Sequence, residues 1–430
     1  MRFKLKIIYY WFRMLLAKNI KSRAELQYYQ VKRLQLFGKR TLQKSPYYKR
    51  YLKNGVLDLS NMPQISKNQF MENFDAINTK GIVKKEAFRV ALDAEHIRNF
   101  KSEIKGITVG LSTGTSGKRG LFLVSENERA QWVALVMTRV IKPKIFKKQK
   151  IAFFLRANSN LYASIDSNLF AFRYFDIFRP IDQLLSELDL YKPDILAAQP
   201  SLLIDIAHAQ KNGKIHIQPT QILSFAEVLT ENDKIVVQNI FNVKITEVYQ
   251  CMEGFLGVTC DHGTMHLNED YIYFDKEWID EYKFYPIITD FSRSTQPVVN
   301  YKMNDILVLK KEACSCGSQL LAIEKILGRE DDVLLINDKK IYPDLIARRL
   351  ALHTDDFQKY TIEQINKETL RIGIECENSK FGELQSVFEN VLNNLFLDFG
   401  VNHVRYVFEN KIAHFPGSKL RKIKRIDHEN

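Results

Sequence analysis

Three short apolar runs constrain this chain more than any other feature: Lys150-Ile151-Ala152-Phe153-Phe154-Leu155, Asp194-Ile195-Leu196-Ala197-Ala198 and Gln221-Ile222-Leu223-Ser224-Phe225. Each has the length of a strand, and the near absence of polar alternation within it is what a strand covered on both faces needs. Stretches of helical periodicity separate them, so the expectation is an α/β fold.

The rest of the chain divides around these runs. Residues 1 to about 55 read as helical, with Pro46 of Ser45-Pro46 opening a short segment that continues through Tyr47 and Tyr48. Pro63 marks a boundary, and residues 60–105 carry a mixed pattern. Between 262 and 327 short alternating segments dominate, such as Tyr271-Ile272-Tyr273-Phe274 and Ile306-Leu307-Val308-Leu309. After Gly328-Arg329 the pattern restarts as strand, turn at Asn337-Asp338, helix near 343–353, strand, helix near 380–397 and strand at 404–408. The 430 residues therefore suggest a helical segment (1–55), a large α/β domain with a β-rich subdomain (56–327) and a small mobile α+β lid (328–430). The charged segment Gly328-Arg329-Glu330-Asp331-Asp332 is the expected hinge.

A net charge of +13 attracts anions, whether nucleotides, an acidic carrier, anionic lipid or nucleic acid. No arginine-rich repeat, zinc-finger spacing or RNA-binding aromatic signature accompanies the charge, so nucleic acid is not the expected partner. Five cysteines, Cys251, Cys260, Cys314, Cys316 and Cys376, are too few and too clustered for a disulfide scaffold, which fits a reducing cytoplasm. The stretch from Ile7 to Ala17, flanked by Arg2, Lys4, Lys6 and Lys18 and broken by Arg13, falls short of the roughly 20 apolar residues a membrane span needs. It reads as a basic aromatic helix that packs on the protein body, with weak contact between residues 1–20 and an anionic membrane surface as the minor alternative.

Chemistry enters at Ser112-Thr113-Gly114-Thr115-Ser116-Gly117-Lys118, between the strand-like runs 106–111 and 121–124. Glycines let backbone N–H groups approach phosphate oxygens, while hydroxyls and a lysine add donors and charge. The nucleoside-triphosphatase P-loop needs glycine where Ser112 stands and a hydroxyl residue where Arg119 stands, so this is a different phosphate cradle or an ordinary glycine-rich hairpin.

This loop resembles the phosphate loop of the adenylate-forming superfamily of acyl-CoA synthetases. Ser45-Pro46-Tyr47-Tyr48, Ala226-Glu227, Tyr249-Gln250-Cys251-Met252-Glu253-Gly254, Asp305, Gly328-Arg329-Glu330-Asp331-Asp332 and Pro416-Gly417-Ser418-Lys419 follow in the order of its phenylacetate-CoA ligase branch. Within that branch the chain looks most like the adenylating proteins related to deazaflavin-adenylating synthetases. The resemblance implies an ATP-dependent, AMP-forming ligase that activates a carboxylic acid and passes the acyl group to coenzyme A, another thiol, an amine or a sugar amine. It also implies roles. Glu253 would hold Mg2+, Asp305 the ribose hydroxyls, and Ser224, Ala226 and Glu227 would border the adenine beside Tyr249. Arg329 would face the nucleotide, Asp331 would be the hinge, and Lys419 would bridge the substrate carboxylate and the α-phosphate.

Two motifs depart from the branch. Met252 replaces a hydroxyl residue in Tyr249-Gln250-Cys251-Met252-Glu253, and Asn300-Tyr301-Lys302-Met303-Asn304-Asp305 replaces Arg-Tyr-x-Thr-Gly-Asp. A catalytically weak nucleotide-binding or scaffold protein derived from such ligases is therefore the alternative expectation. Finally, Cys260, His266, Cys314 and Cys316 have the donor types of a Cys3His zinc site, structural because four protein ligands leave no open position, with His262 a rival for His266. Cys251 and Cys376 read as free cysteines.

Overall fold

The computed structural model describes residues 2–16, 20–98, 102–112, 119–141, 147–155, 166–167, 169–354, 356–412 and 419–426. The N-terminal helices are α1 (Arg2–Leu16), α2 (Arg23–Arg40) and the short α3 (Pro46–Lys49), whose N-cap Ser45 hydroxyl accepts from the Tyr48 N–H. The stretch of mixed pattern holds α4 (Lys67–Glu72), opened by a capping box of Ser66 and Gln69, then α5 (Phe74–Ile77) and α6 (Lys84–His96). A small antiparallel sheet follows, β1 (Glu103–Ile104), β2 (Ile107–Leu111) and β3 (Leu121–Val124), leading into α7 (Glu126–Arg139).

The large sheet begins with β4 (Gln149–Leu155), β5 (Phe170–Asp176), β6 (Ile195–Ala198), β7 (Gln221–Phe225) and β8 (Ile245–Gln250). These five are parallel in the order β5-β4-β6-β7-β8. The connections carry α8 (Ile181–Tyr191), α9 (Pro200–Lys211) and α10 (Glu231–Phe241). Alternation along each strand sends Ala152, Phe154, Leu196, Ala198 and Ile222 into one core with α8 to α10. The opposite face, with Ile151, Ala197 and Leu223, joins a second core built on α7 and on Met14 of α1.

From β8 the sheet continues antiparallel through β9 (Phe255–Thr259), β10 (Met265–Leu267), β15 (Ala322–Arg329), β14 (Asp305–Leu309), β12 (Lys283–Asp290) and β11 (Ile272–Trp278), with β13 (Val298–Lys302) beside β12. The C-terminal residues have their own core. The hairpin β16 (Leu334–Ile336) and β17 (Lys339–Ile341) turns at Asn337 and Asp338, both in the left-handed region at φ 47° and 62°, as a type I′ turn requires. Then come α11 (Pro343–Ala351), β18 (Lys359–Asn366), β19 (Thr369–Glu375), α12 (Phe381–Leu397), β20 (Arg405–Glu409) and β21 (Ile423–Arg425), the four strands ordered β20-β19-β18-β21.

α1 packs on the body through Ile7, Tyr10, Trp11 and Met14. Its other face leaves Leu5, Ile8, Tyr9, Phe12 and Leu15 exposed. Among the described residues no helix is long and apolar enough to cross a membrane.

Candidate functional site

A cavity of about 650 Å³ lies where the parallel half of the sheet, the β2–β3 hairpin and the C-terminal segment meet. Of the residues singled out in the sequence, Ser112, Ala226, Glu253, Asp305, Arg329 and Lys419 line it. Tyr249, Glu227 and Asp331 do not line it but bond to groups that do or to their chain neighbours. Ser224 is buried near the end of β7 and lines nothing. Thr113, Gly114, Thr115, Ser116, Gly117 and Lys118 lie outside the described residues, as do Pro416, Gly417 and Ser418.

Both stems of the glycine-rich loop are well placed. β2 and β3 pair up to Leu111 opposite Leu121, then Ser112 N–H donates to the Gly120 carbonyl at 2.8 Å and Gly120 N–H to the Ser112 hydroxyl at 2.7 Å. Arg119 ties the hairpin to α6 through Glu95 at 2.6 Å. A Cβ at Gly120 would fall 2.3 Å from the Met252 sulfur, so the thioether that replaces the branch's hydroxyl packs onto the base of the loop. The other departure is also structural. Asn300 sits at φ 47° and its amide donates to the carbonyls of Leu59 and Met62, fastening β13 to the segment before α4.

The titratable groups are close-packed and desolvated. Asp305 accepts from the Tyr249 hydroxyl at 2.7 Å and lies 3.6 Å from Arg329. Burial raises its carboxyl pKa, and Arg329 and Tyr249 pull it back only in part. Burial likewise lowers Lys419, with Arg329 adding to the effect and Glu227, Asp305 and Cys251 opposing it. Glu227 is raised by burial although it accepts from the Leu420 and Ser201 N–H groups at 2.9 and 3.2 Å. Its neighbour Ala226 holds φ 73°, a conformation that costs a residue with a Cβ free energy and that the flanking strand and these bonds maintain. Glu253 is buried and accepts from the Tyr301 hydroxyl at 2.6 Å.

Four participants were given no role from the sequence, Tyr301 among them although it stands in the altered 300–305 motif. Lys67, at the start of α4, lines the cavity, and its pKa is lowered by burial and held up by Glu253. Tyr301 and Arg293 support the Glu253 segment, Arg293 donating to the carbonyls of Met252 and Glu253. Arg421 donates to Asp332 at 2.6 Å and lies 3.3 Å from Asp331, whose carboxylate also accepts from Asn304 at 3.1 Å. A single lysine or arginine carries no local pattern, and the motif around Tyr301 does not say what its hydroxyl meets, so only spatial proximity exposes these contacts.

The C-terminal segment is held over the cavity by several contacts at once. Leu420 N–H meets Glu227, Lys422 meets Asp233 of α10 at 2.6 Å, and Lys359 of β18 meets Asp205 of α9 at 2.7 Å. With the segment so held, Lys419 and Asp305 feel each other's charge.

Away from the cavity, the donor atoms of Cys260, His266, Cys314 and Cys316 all lie within 4.8 Å of one another. The Cys260 and Cys314 sulfurs are 3.7 Å apart and Cys316 is 3.3 Å from His266 Nε2. A tetrahedral zinc with sulfur at ~2.3 Å sets sulfurs ~3.8 Å apart, so the spacing fits. His266 Nδ1 faces the Leu320 carbonyl at 3.0 Å, which favours the tautomer with Nε2 free to ligate. His262 turns to Ser315 at 2.9 Å and is not part of the group.

No protein-family model matches the chain. Protein CapK of Staphylococcus aureus is 22% identical over 387 residues, covering 85% of this chain and 80% of that protein. Phenylacetate-coenzyme A ligase of Thermus thermophilus is 26% identical over 207 residues, 42% of this chain and 44% of that one. The crystal structure of 2-hydroxyisobutyryl-CoA ligase in its postadenylation state superposes with a TM-score of 0.72 at 17% identity, covering 94% of this chain and 90% of that one. The same enzyme in its thioesterification state gives 0.57 at 16% identity over the same coverage.

Proposed function

We propose that this chain, similar to CapK and to phenylacetate-coenzyme A ligase in sequence and to acyl-CoA ligases in fold, is an ATP-dependent, AMP-forming carboxylate ligase of the phenylacetate-CoA ligase-like branch of the adenylate-forming superfamily, whose adenylation site is the cavity around Lys419. The observation that carries this reading is the meeting of Lys419, Arg329, Asp305 and Glu253 around one cavity, although they lie far apart in sequence. In the first half-reaction a carboxylate oxygen attacks the α-phosphorus and the bond to pyrophosphate breaks, leaving an acyl-adenylate. In the second a nucleophile attacks the acyl carbonyl and AMP departs, a far better leaving group than hydroxide.

Lys419 supplies positive charge where the α-phosphate gains negative charge, and the surrounding burial strengthens that interaction. Asp305 takes the ribose hydroxyls, exchanging its bond from Tyr249 for them. Ala226, with Ser224 and Glu227 behind it, borders the adenine beside Tyr249, and Arg329 faces the phosphates. The loop from Ser112 through Thr113, Gly114, Thr115, Ser116 and Gly117 to Lys118 cradles the terminal phosphates. Glu253 would hold a magnesium ion, a cation commonly bound by one or two carboxylates together with substrate phosphates and there to neutralise phosphate charge. Residues 328–430 act as the lid, hinged at Asp331, over the large domain of 56–327 that follows the helical segment 1–55. The higher similarity to a postadenylation state than to a thioesterification state supports a lid orientation suited to the first half-reaction. The acceptor is coenzyme A, another thiol or an amine, of which coenzyme A is the one we assign. Zinc held by Cys260, His266, Cys314 and Cys316 would tie β9 and β10 to the 314–316 turn.

We also propose weak peripheral contact of α1, through the face not packed on the body, with an anionic lipid surface. Leu5, Ile8, Tyr9, Phe12 and Leu15 form one exposed stripe at helical spacing, with exposed Lys4 on one side of it and Arg13 on the other. Binding to phosphatidylserine vesicles that disappears in Ile8→Glu/Phe12→Glu supports this, and binding unchanged in that variant excludes it.

ATP–pyrophosphate exchange across aryl, fatty and amino acids tests the ligase reading. Exchange with at least one acid, lost in Lys419→Ala, is expected. Tight ATP binding without exchange against any acid would instead identify a nucleotide-binding protein that has lost the chemistry.

A further inference from the structure

The C-terminal sheet ends on one side in an open edge. β20 pairs with β19, and among the described residues no strand pairs with its outer side. Arg405 N–H donates to the Glu368 carbonyl on the β19 side at 2.7 Å, so backbone alternation turns the N–H and C=O groups of Tyr406 and Phe408 outward. Past Glu409 the chain leaves this edge and crosses one face of the sheet. A Cβ at Gly373 of β19 would fall 2.5 Å from the Lys411 carbonyl oxygen and 3.2 Å from the Ile412 Cα. The side chains of β20 divide between two faces. Tyr406 and Phe408 pack on the core of this unit, and the Tyr406 hydroxyl donates to Asn393 of α12 at 2.7 Å. Arg405, Val407 and Glu409 stand on the opposite face, where Val407 is 41% exposed. Glu409 lies 3.6 Å from Arg371, whereas Arg405 makes no ion pair within its own chain among the described residues. Exposed edges are ordinarily guarded by lysine, proline or a bulge, and β20 carries none of these.

We infer that β20 joins two copies of this chain by antiparallel pairing about a two-fold axis at Val407. The strand Arg405-Tyr406-Val407-Phe408-Glu409 is complementary to its own reverse. With the axis at Val407, Arg405 of each copy faces Glu409 of the other and gains the counter-charge it lacks. Tyr406 stands opposite the second copy's Phe408, and because the backbone groups of both point outward, the two residues exchange both N–H···O bonds. Their rings meet across the same face. An axis one residue earlier or later leaves Arg405 or Glu409 opposite Val407, so charge fixes the register. β20 and β21 are the two outer strands of the sheet, so the pairing leaves β21 and the Lys419 segment before it untouched. Two five-residue edges bury less than the roughly 1,200 Å² of a standard interface, which makes this a weak dimer with a dissociation constant on the order of 10–100 μM. None of this depends on the ligase reading.

Sedimentation velocity at about 0.15 M salt, where the net charge of +13 is screened beyond roughly 8 Å, reads the association. The full chain should pass from monomer to dimer between about 1 and 500 μM. Arg405→Glu and Glu409→Arg each set like charges at both ends of the pair, and each should weaken it by about tenfold or more. Mixed in equal amounts, the two variants restore opposite charges at both ends and should associate within about threefold of the wild-type affinity. Should either single variant unfold, Arg405→Glu/Glu409→Arg gives the same reading, since it should pair with itself but not with the wild-type chain. A wild-type chain still monomeric at about 500 μM overturns the inference. So does a dimer that either single variant leaves intact, or a mixture of two folded single variants that stays monomeric.

Discussion

Replacing Lys419 with methionine keeps the aliphatic stem and removes the charge, which separates chemistry from architecture. Removing one preorganised group that stabilises transition-state charge costs about 10²–10³ in rate, so exchange should fall by that factor while ATP affinity changes only a few-fold. Stability should move the other way, or hardly at all. Burial lowers the Lys419 pKa below its unfolded value, so between the two values the unfolded chain binds more protons and stability rises with pH. At neutral pH the native protein therefore carries a desolvated ammonium that methionine does not have. The loss of counter-charge to Asp305 and Glu227 offsets part of that gain, but Asp305 keeps Arg329 and Tyr249, and Glu227 keeps the Leu420 and Ser201 N–H groups. The net change should lie between no effect and a gain on the order of 1 kcal/mol, read by urea unfolding. The wild-type exchange rate should also decline at alkaline pH as Lys419 deprotonates below the ordinary lysine range. Exchange within tenfold of wild type, or a loss of stability beyond about 2 kcal/mol, would refute the assignment, the latter by making Lys419 a structural clamp.

The remaining predictions concern parts that hold the site. Asp290, buried beside Gly254 and bonded by Ser292, has its pKa raised to about 6 by desolvation. Its contribution to stability is present below the unfolded value and lost as pH rises through about 6, so Asp290→Asn should be neutral near pH 4 and stabilising on the order of 1–3 kcal/mol at pH 7. Asp233→Asn breaks the half-buried pair with Lys422 and should slow exchange about two- to fivefold, with little further loss on adding Lys422→Met. Metal analysis should find about one zinc per chain, and Cys314→Ala should abolish it and lower the melting temperature without affecting the Km for ATP; full zinc content in Cys314→Ala would exclude this ligand set.

Legibility in the sequence followed how much of each element's environment is local. β4, β6 and β7 were readable because both faces are covered and their residues are almost uniformly apolar. β5 and β8 were not, since Arg173 and Asp176, or Thr246 and Glu247, break the run where one side is less covered. The Asn337-Asp338 turn announced itself through residues that tolerate left-handed backbone. The single strand expected between the two C-terminal helices is two, β18 and β19, because Lys367-Glu368 makes a tight polar turn inside what reads as one segment. Of the residues that line the cavity, Glu253 and Asp305 were singled out by resemblance. Lys67 and Arg421, and the contact of Tyr301 with Glu253, were not, because each acts through a partner distant in the chain. The altered residues Met252 and Asn300 looked like losses in sequence, yet both have packing partners in the structure.

Four consecutive residues of the C-terminal segment divide their tasks: Lys419 enters the cavity, Leu420 bonds Glu227, Arg421 holds Asp332 and Lys422 pairs with Asp233. Such a row behaves like the teeth of a key. A shift of this segment's backbone that withdrew the lysine would draw its three neighbours from their seats with it. A reactive mixed anhydride formed beneath it would be shielded from stray water until the whole row lets go, and the same motion that uncovers the intermediate would clear the way for the incoming nucleophile.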